Sequence, residues 1–395
     1  MRPRLTPAMA DVRRAVRECL TDCAVPDART PVSGSEVHSR SGAALLLVAL
    51  SGGPDSLALA AATAFEAPRA GLRAGAIIVD HGLQEGSAEV AERAAAQARD
   101  LGLDPVLLRR VDVPARPGQG SGDSNSGSGA AITPDGVTWT PRGSGGRWEG
   151  PEGAARAARY GAFAAALEET GASAILLGHT LDDQAETVLL GLARGAGPTS
   201  LQGMTLVGGP AGTHLRPLLR IRRATTVAAC ADQGLAPWTD PHNSDTAFSR
   251  VRVRERVLPV LEAELGPGIA EALARTAEQL REDAAALDAM TDELIEDLVL
   301  EGADPVTEEP YPGGGISLPV PGLAANPPAI RHRLIRLVVS SEFGVSLSRT
   351  HTLEVARLVT DWHGQGPIDL PGVMAARIGR SIVFTAPERD ARREE

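Results

Sequence analysis

The sequence predicts an α/β fold, in which a parallel sheet covered by helices is followed by a long helix and a small α+β domain. Four continuous apolar runs have the length of strands buried on both faces: 44–50, 74–80, 103–113 and 173–179. Alanine-rich helical segments at 88–102 and 151–171 separate these strands, and this alternation favours parallel βαβ units. Ligands bind at the carboxyl ends of the strands in such sheets, so we expect a functional site at that edge.

The predicted elements divide the chain into four parts. They are an extension with one helix over 1–40, the α/β domain over 41–260, a helical connector over 261–303 and the α+β domain over 316–388. Leucines at helical spacing from about 264 onward predict the long helix. In the last part we expect helices near 327–341 and 348–362 and short strands near 368–385.

Residues 114–150 interrupt the α/β pattern. This stretch is rich in Gly, Ser and Pro and offers little apolar surface to bury, which is typical of a flexible surface insertion. A lid over the functional site is the alternative interpretation.

The basic residues of this chain are all arginine. The sequence has 395 residues, a net charge of −11 and no lysine among its 39 basic residues. The absence of lysine excludes a Walker A loop, a lysyl-AMP intermediate and Schiff-base chemistry. An acidic protein does not attract nucleic acid over its whole surface. A polyanion such as tRNA would therefore have to bind at local arginine clusters, such as those at 216–223 and 250–256, and at the small α+β domain over 316–388.

Cysteine content and hydropathy bear on the compartment. No run of eighteen apolar residues is present, so no membrane span is expected. The three cysteines, at 19, 23 and 230, are too few for a disulfide framework and form no C-x-x-C pair. Together with a first stretch that lacks the apolar core of a signal peptide, these features predict a cytoplasmic protein.

The hexapeptide SGGPDS links the first predicted strand to a helix. Its residues are the first candidate nucleotide-binding group: Ser51, Gly52, Gly53, Pro54, Asp55 and Ser56. Backbone N–H groups at a helix N-terminus bind anions, and the two glycines let the backbone approach a ligand closely. The carboxylate of Asp55 would repel phosphates unless Mg²⁺ lay between them. The loop therefore predicts a phosphate site with Asp55 as metal ligand, with a plain strand-to-helix turn as the alternative.

A second candidate group follows the fourth predicted strand. His179, Asp183 and Glu186 lie at i, i+4 and i+7, which places them on one face of a helix that begins at the sheet edge. An imidazole and two carboxylates can bind a cation and move a proton. The alternative is structural, because Thr180 and Asp183 have the spacing of a capping box.

Several segments of this sequence resemble the PP-loop ATP pyrophosphatases, and among them the lysidine synthetases. SGGPDS is similar to the S-G-G-x-D-S loop of that superfamily, which has the adenine nucleotide alpha hydrolase-like fold. Further segments resemble the lysidine synthetases: VDHGL (79–83), PEGAARAARY (151–160), GHTLDDQAETVLLGLARGAG (178–197) and WTDPHNSDTAFSRVRVRERVLP (238–259). The resemblance extends over about residues 44–385.

The resemblance implies a two-step reaction that uses ATP and Mg²⁺. ATP would adenylate the wobble cytidine of a minor isoleucine tRNA with a CAU anticodon, and the ε-amine of free L-lysine would then displace AMP. The product, lysidine, would change the codon read from AUG to AUA.

The resemblance also implies roles for individual residues. Asp80 and His81 would lie beside the adenine. Asp55, His179, Asp183, Glu186 and Arg159 would be catalytic. Glu152, Arg156, Arg250 and Arg254 would bind substrate.

Other functions stay open at the level of the sequence. A tRNA thiolase would need cysteines that carry sulfur or a cluster, and this chain has no suitable pair. An amide-forming synthetase would share the glycine loop, and a non-catalytic nucleotide-binding module could dispense with the His179 face. The sequence does not decide between a monomer and a homodimer.

Overall fold

The structure is a computed structural model. It describes residues 5–23, 43–82, 86–111, 131–132, 138–139, 150–195, 197–240, 245–301 and 315–386. The chain divides into two compact units, Met1–Glu278 and Gln279–Glu395, and the division falls inside one long helix. The insertion predicted at 114–150 lies outside the described residues, apart from a short strand pair and the first residue of a helix.

The helices and strands of the first unit follow in chain order. They are α1 (Pro7–Asp22), β1 (Leu45–Ala49), α2 (Pro54–Glu66), β2 (Arg73–Asp80), α3 (Ser87–Asp100), β3 (Val106–Arg110), β4 (Ala131–Ile132), β5 (Thr138–Trp139), α4 (Gly150–Thr170), β6 (Ala174–Leu176), α5 (Leu181–Ala193), α6 (Pro198–Leu201), β7 (Val207–Gly208), β8 (His214–Leu215), α7 (Arg223–Asp232), α8 (Ser249–Arg252), α9 (Leu258–Leu265) and α10 (Ile269–Leu298). Short 3₁₀ turns follow α2 and β7, and a π-helical segment, Val253–Val257, joins α8 to α9.

The main sheet has the strand order β3-β2-β1-β6-β8-β7. All neighbours are parallel except β7, which pairs antiparallel with β8. The α/β prediction is therefore confirmed, and the four predicted strands are β1, β2, β3 and β6. The chain winds outward from β1 to β3 and then crosses to β6 on the other side of β1. Such a reversal opens a crevice at the carboxyl ends of β1 and β6, and ligands bind in crevices of this kind.

Side chains of β1 alternate between two cores, as a strand buried on both faces requires. Leu46 and Val48 pack in the cluster formed with α1, α2, α3 and α7, whereas Leu45 and Leu47 pack with Phe163 of α4. Burial of each such leucine contributes about 2 kcal/mol. The core thus holds β1 rigidly beneath the loop that follows it.

The N-terminal extension contributes one helix to the core of the first unit. Met9, Val12 and Val16 share one face of α1 and are fully buried in the first core cluster. The Thr6 hydroxyl caps the helix by accepting a hydrogen bond from Met9 N at 3.3 Å. Helix α1 is therefore an integral layer over α2 and α7.

The second unit is a small α+β unit, as predicted. Besides the end of α10 it contains β9 (Leu300–Glu301), β10 (Ile316–Pro319), α11 (Val320–Ala325), α12 (Pro328–Phe343), α13 (Arg349–Thr360), β11 (Ile368–Leu370), β12 (Val373–Ile378) and β13 (Ser381–Thr385). Its antiparallel sheet has the order β11-β12-β13-β10-β9. The sequence patterns did not reveal β9 and β10, because these strands are only two and four residues long. A single core that includes Leu334 and Phe384 fills the unit.

Candidate active site

The loop 51–56 is folded tightly onto itself at the carboxyl end of β1. Gly52 has a φ of +85°, a backbone conformation that favours glycine. Ser56 Oγ donates to the carbonyl oxygen of Gly53 at 3.0 Å and accepts from Ser51 N at 3.2 Å. Pro54 occupies the first turn of α2, where its missing N–H costs no hydrogen bond. The predicted phosphate loop is therefore a preformed turn at a helix N-terminus.

A second backbone segment lies directly against this loop. A Cβ atom built on Gly178 would come within 3.1 Å of Ser56 N and 3.2 Å of the Asp55 carbonyl oxygen. These distances are shorter than the ordinary contacts of a methyl group. Gly178 thus allows the chain between β6 and α5 to approach the loop, which brings both predicted groups to one edge of the sheet.

Two neighbouring aspartates organise the helix starts at this edge. Asp183 Oδ2 accepts hydrogen bonds from Thr180 N at 2.8 Å and Thr180 Oγ1 at 2.9 Å, so the predicted capping box exists. Asp182 Oδ2 accepts from Arg223 N at 2.7 Å and so caps the N-terminus of α7. Asp182 therefore has a structural role. Asp183 keeps its second oxygen, Oδ1, for another partner.

That partner is Arg223, whose guanidinium contacts three carboxylates. Its Nε lies 3.0 Å from Asp55 Oδ2, its Nη2 lies 2.9 Å from Asp183 Oδ1 and its Nη1 lies 3.8 Å from Glu186 Oε1. The hydroxyl of Thr226 contacts the remaining oxygen of Asp55. One arginine therefore joins the glycine loop to the carboxylates of α5. We call Asp55, Asp183, Glu186 and Arg223 the carboxylate cluster.

Two further arginines reach the cluster from the segment 249–257. Arg254 forms a bidentate pair with Glu186, with Nε–Oε1 at 2.7 Å and Nη2–Oε2 at 3.1 Å. Arg250 Nε lies 3.6 Å from Glu186 Oε2, and Arg250 Nη2 donates to Thr187 Oγ1 at 3.1 Å. The side chain of Glu186 is fully buried. Three carboxylates and three arginines thus meet at one point, and their formal charges cancel.

Burial raises the pKa values of the three carboxylates, whereas the neighbouring arginines lower them. Burial raises the pKa of Asp55 above its usual value in spite of Arg223, and burial likewise raises the pKa of Glu186 in spite of Arg254. Asp183 differs: burial would raise its pKa, but Arg223 and the Thr180 hydrogen bonds outweigh burial and hold the pKa below the usual value. Of the three carboxylates, Asp183 is therefore the one that most readily stays ionised.

His179, the histidine of the second predicted group, is held in its neutral form. Burial lowers the pKa of His179 to about 4, and the positive charges of Arg216, Arg156 and Arg250 act in the same direction. Its Nδ1 is buried and has no hydrogen-bond partner among the described residues. A neutral imidazole beside carboxylates can accept a proton.

The end of β2 forms the flank expected to lie beside an adenine. Asp80 Oδ1 accepts from Gly82 N at 2.9 Å, and Arg159 Nε donates to His81 Nε2 at 3.3 Å. Burial, followed by the charge of Arg159, lowers the pKa of His81 to about 4. Arg159 therefore lies against the predicted nucleotide-binding residue His81.

The other predicted substrate-binding residues lie on α4. Arg156 is close enough to depress the pKa of His179, and its Nη2 lies 3.4 Å from the hydroxyl of Tyr160. The side chain of Glu152 lies outside the described residues.

Sequence reasoning missed Arg223 and Thr226 as residues of the site. The arginine run 216–223 suggested a surface for phosphates, and Arg220 fits this expectation because its side chain is exposed. Arg223 instead turns inward from the start of α7. Only the repeated spacing of arginines was visible in the sequence, and it carries no information on which of them faces the interior.

The fold and this edge define a class of protein. The PP-loop domain family matches residues 31–261, and the TilS substrate binding domain matches residues 318–381. Residues 31–261 are therefore a PP-loop domain, the nucleotide-binding fold of ATP-using enzymes that the glycine loop predicted.

Relatives with assigned names specify the family. The chain is 58% identical to the tRNA(Ile)-lysidine synthase of Leifsonia xyli over 360 residues, which cover 91% of this chain and 95% of the relative. It is 46% identical to the enzyme of that name from Thermobifida fusca, with 95% of both chains covered, and 45% identical to the one from Streptomyces coelicolor, with 96% and 98% covered. The chain belongs to the tRNA(Ile)-lysidine synthase family, and the predicted family is confirmed.

Proposed function

We propose that this protein joins free L-lysine to the wobble cytidine of an isoleucine tRNA with a CAU anticodon, with cleavage of ATP to AMP and pyrophosphate. One observation carries the proposal: Asp55 of the glycine loop and the carboxylates of α5 meet at Arg223, in a chain 58% identical to a tRNA(Ile)-lysidine synthase. Lysidine in the anticodon changes the codon read from AUG to AUA.

The first step is adenylation of the cytidine. The amides of Gly52 and Gly53 bind phosphate oxygens of ATP at the start of α2, where the helix dipole favours negative charge. The ring carbonyl oxygen of the cytidine attacks the α-phosphorus, and the bond to pyrophosphate breaks. Asp80 and His81 line the adenine side, and Arg159 beside His81 balances phosphate charge.

Asp55 is the residue that would hold Mg²⁺. Magnesium is usually bound by one or two carboxylates together with substrate phosphates, and Asp55 is a carboxylate in the first turn of α2, next to the loop. The described ranges contain no group of three or more His, Cys, Asp or Glu side chains that could hold a metal, so phosphates would supply the remaining ligands. When bound, the ion neutralises charge on the phosphates.

The second step transfers lysine. The ε-amine attacks the activated ring carbon, a C–N bond forms, the C–O bond to AMP breaks, and one proton leaves the amine. Asp183 and Glu186 attract the lysine side chain. His179 accepts the proton, since burial keeps its imidazole neutral at physiological pH.

The tRNA approaches the same edge. Arg156, Arg250 and Arg254 contact the anticodon nucleotide or the leaving phosphate, and Glu152 contacts the substrate from α4. In the described ranges, no helix is both long and apolar enough to cross a membrane, and Cys19, Cys23 and Cys230 are free thiols. These features support a cytoplasmic enzyme, which could act as a monomer or a homodimer.

The test is incubation of the purified protein with ATP, Mg²⁺, L-lysine and unmodified isoleucine tRNA, followed by mass analysis of the anticodon fragment. We expect a mass increase of one lysyl residue on the wobble cytidine. A methionine tRNA, which has the same CAU anticodon, is the control and should stay unmodified. ATP–pyrophosphate exchange that runs equally well without tRNA would contradict the proposal.

A further inference from the structure

The three carboxylates of the carboxylate cluster are matched by three arginines, Arg223, Arg250 and Arg254, and this balance has a consequence for the amine that reacts there. Asp183 and Glu186 share Arg223, and Glu186 also receives both fork nitrogens of Arg254. Other charged groups lie on the surrounding elements: Asp55 contacts Arg223, Arg222 pairs with Asp182 and Glu271, and Arg156 and Arg216 lower the pKa of His179.

A purely anionic pocket would bind lysine in the wrong protonation state. The side-chain amine of free lysine has a pKa of about 10.4, so it arrives as an ammonium ion, which has no lone pair for attack. Carboxylates alone would stabilise the ammonium and make its proton harder to remove. A positive charge within about 6 Å has the opposite effect. Binding and reactivity therefore make opposing demands on the charge of the pocket.

We propose that Arg223 determines the reactivity of the nucleophile: its guanidinium offsets the charge of Asp183 and Glu186, so that the ε-amine of the bound lysine is delivered in its neutral form. The inference rests on the proposed function. It assigns to Arg223 a role that acts through the carboxylates, and it makes the residue a positioning and charge-balancing group.

The attachment of α7 does not depend on the Arg223 side chain. The N-terminus of α7 is held by the hydrogen bond from Arg223 N, a backbone atom, to Asp182. The buried side chains of Thr226, Ala229 and Cys230 also hold the helix in place. The guanidinium can therefore be removed without releasing the helix, which separates its electrostatic effect from a structural one.

The experiment measures lysidine formation as a function of lysine concentration from pH 6.5 to 10 for the full-length enzyme and for Arg223→Gln. We expect a lower KM for lysine in the variant, because its pocket is more anionic. We also expect kcat at pH 7 to fall about tenfold and to recover at alkaline pH, with the acidic limb shifted upward by about one pH unit.

Three comparisons make the experiment decisive. Arg14→Gln is the control, since this arginine lies on α1 in an exposed pair with Asp11 and should keep the wild-type profile. Arg223→Lys retains the charge and should keep the acidic limb in place. With thialysine, whose side-chain amine is less basic than that of lysine, the defect of Arg223→Gln should shrink.

The outcomes distinguish the inference from the proposed function. An equal loss of kcat at every pH, with KM for lysine unchanged or raised, would overturn the role of Arg223. A displaced limb in Arg223→Lys would also overturn it, and that variant serves if Arg223→Gln does not fold. If the wild-type enzyme forms no lysidine at any pH, the proposed function itself is wrong.

Discussion

The α-carbon of Gly178 faces the backbone amide of Ser56 so closely that a methyl group there would lie 3.1 Å from the amide nitrogen. The three atoms nearest to that methyl group all belong to the backbone of Asp55 and Ser56, and backbone atoms cannot move aside as a flexible side chain would. The contact couples the segment that carries His179 to the loop that carries Asp55.

Gly178→Ala should therefore displace the loop 51–56 and weaken ATP binding. Overpacking of this kind costs about 1–3 kcal/mol, and we expect a matching loss of stability in urea unfolding together with a raised Kd for ATP in calorimetry. Gly197→Ala is the control, because a Cβ at Gly197 meets nothing within 4 Å. Unchanged ATP affinity in Gly178→Ala would show that the loop tolerates the shift.

The buried carboxylate of Glu186 should be more important for stability than an exposed one. Glu186→Gln removes the charge that faces Arg254 and Arg250, and loss of one partner from a buried pair costs up to about 3–5 kcal/mol. Both arginines are partly exposed, so we expect about 1–3 kcal/mol in urea unfolding at pH 7.

The matched control for Glu186 is Glu169→Gln. Glu169 pairs with Arg109, and the two side chains are 54% and 34% exposed, so its loss should cost less than about 1 kcal/mol. Equal effects of the two substitutions would show that the arginines around Glu186 are solvated after the substitution.

The pKa values of the two buried histidines predict acid sensitivity. His179 and His81 have a pKa of about 4 in the folded protein, against about 6.5 when unfolded. Between pH 6.5 and 4 the unfolded state binds more protons, so the free energy of unfolding should fall as the pH drops through this window. Urea unfolding at pH 7 and pH 5 should show a loss that is smaller in His179→Gln. In His363→Gln, which alters an exposed side chain, the loss should equal that of the wild type.

Much of the fold could be predicted because the local pattern of apolar residues matches the burial of their side chains in the structure. β1 carries five successive apolar residues that serve two cores, and the glycine loop follows it directly, so strand, turn and helix were all visible in one stretch. The two-residue strands β7 and β8 were missed because tertiary pairing, rather than their own composition, makes them strands.

The candidate site could be predicted only in part. His179, Asp183 and Glu186 follow from helical periodicity, since they lie on one face of a short segment. Arg223 is 168 residues from Asp55 in sequence, and no local pattern reports such a contact. Its role depends on how α7 packs on α2, and this is a property of the assembled fold.

The last prediction separates the chemistry of Asp55 from its part in the fold. Arg223 keeps its contact with Asp183 when the charge of Asp55 is removed, so Asp55→Asn should unfold near the wild-type urea midpoint. Adenylation should nevertheless fall by about 100-fold or more, because the asparagine amide offers no negative charge to a cation at the phosphates. The measurement is tRNA-dependent ATP–pyrophosphate exchange. The control is Asp104→Asn, because Asp104 is exposed and its surface pair with Arg73 is loose, at 3.8 Å. If Asp55→Asn retained wild-type exchange, Asp55 would not belong to the nucleotide site, and its contacts with Arg223 and Thr226 would be structural.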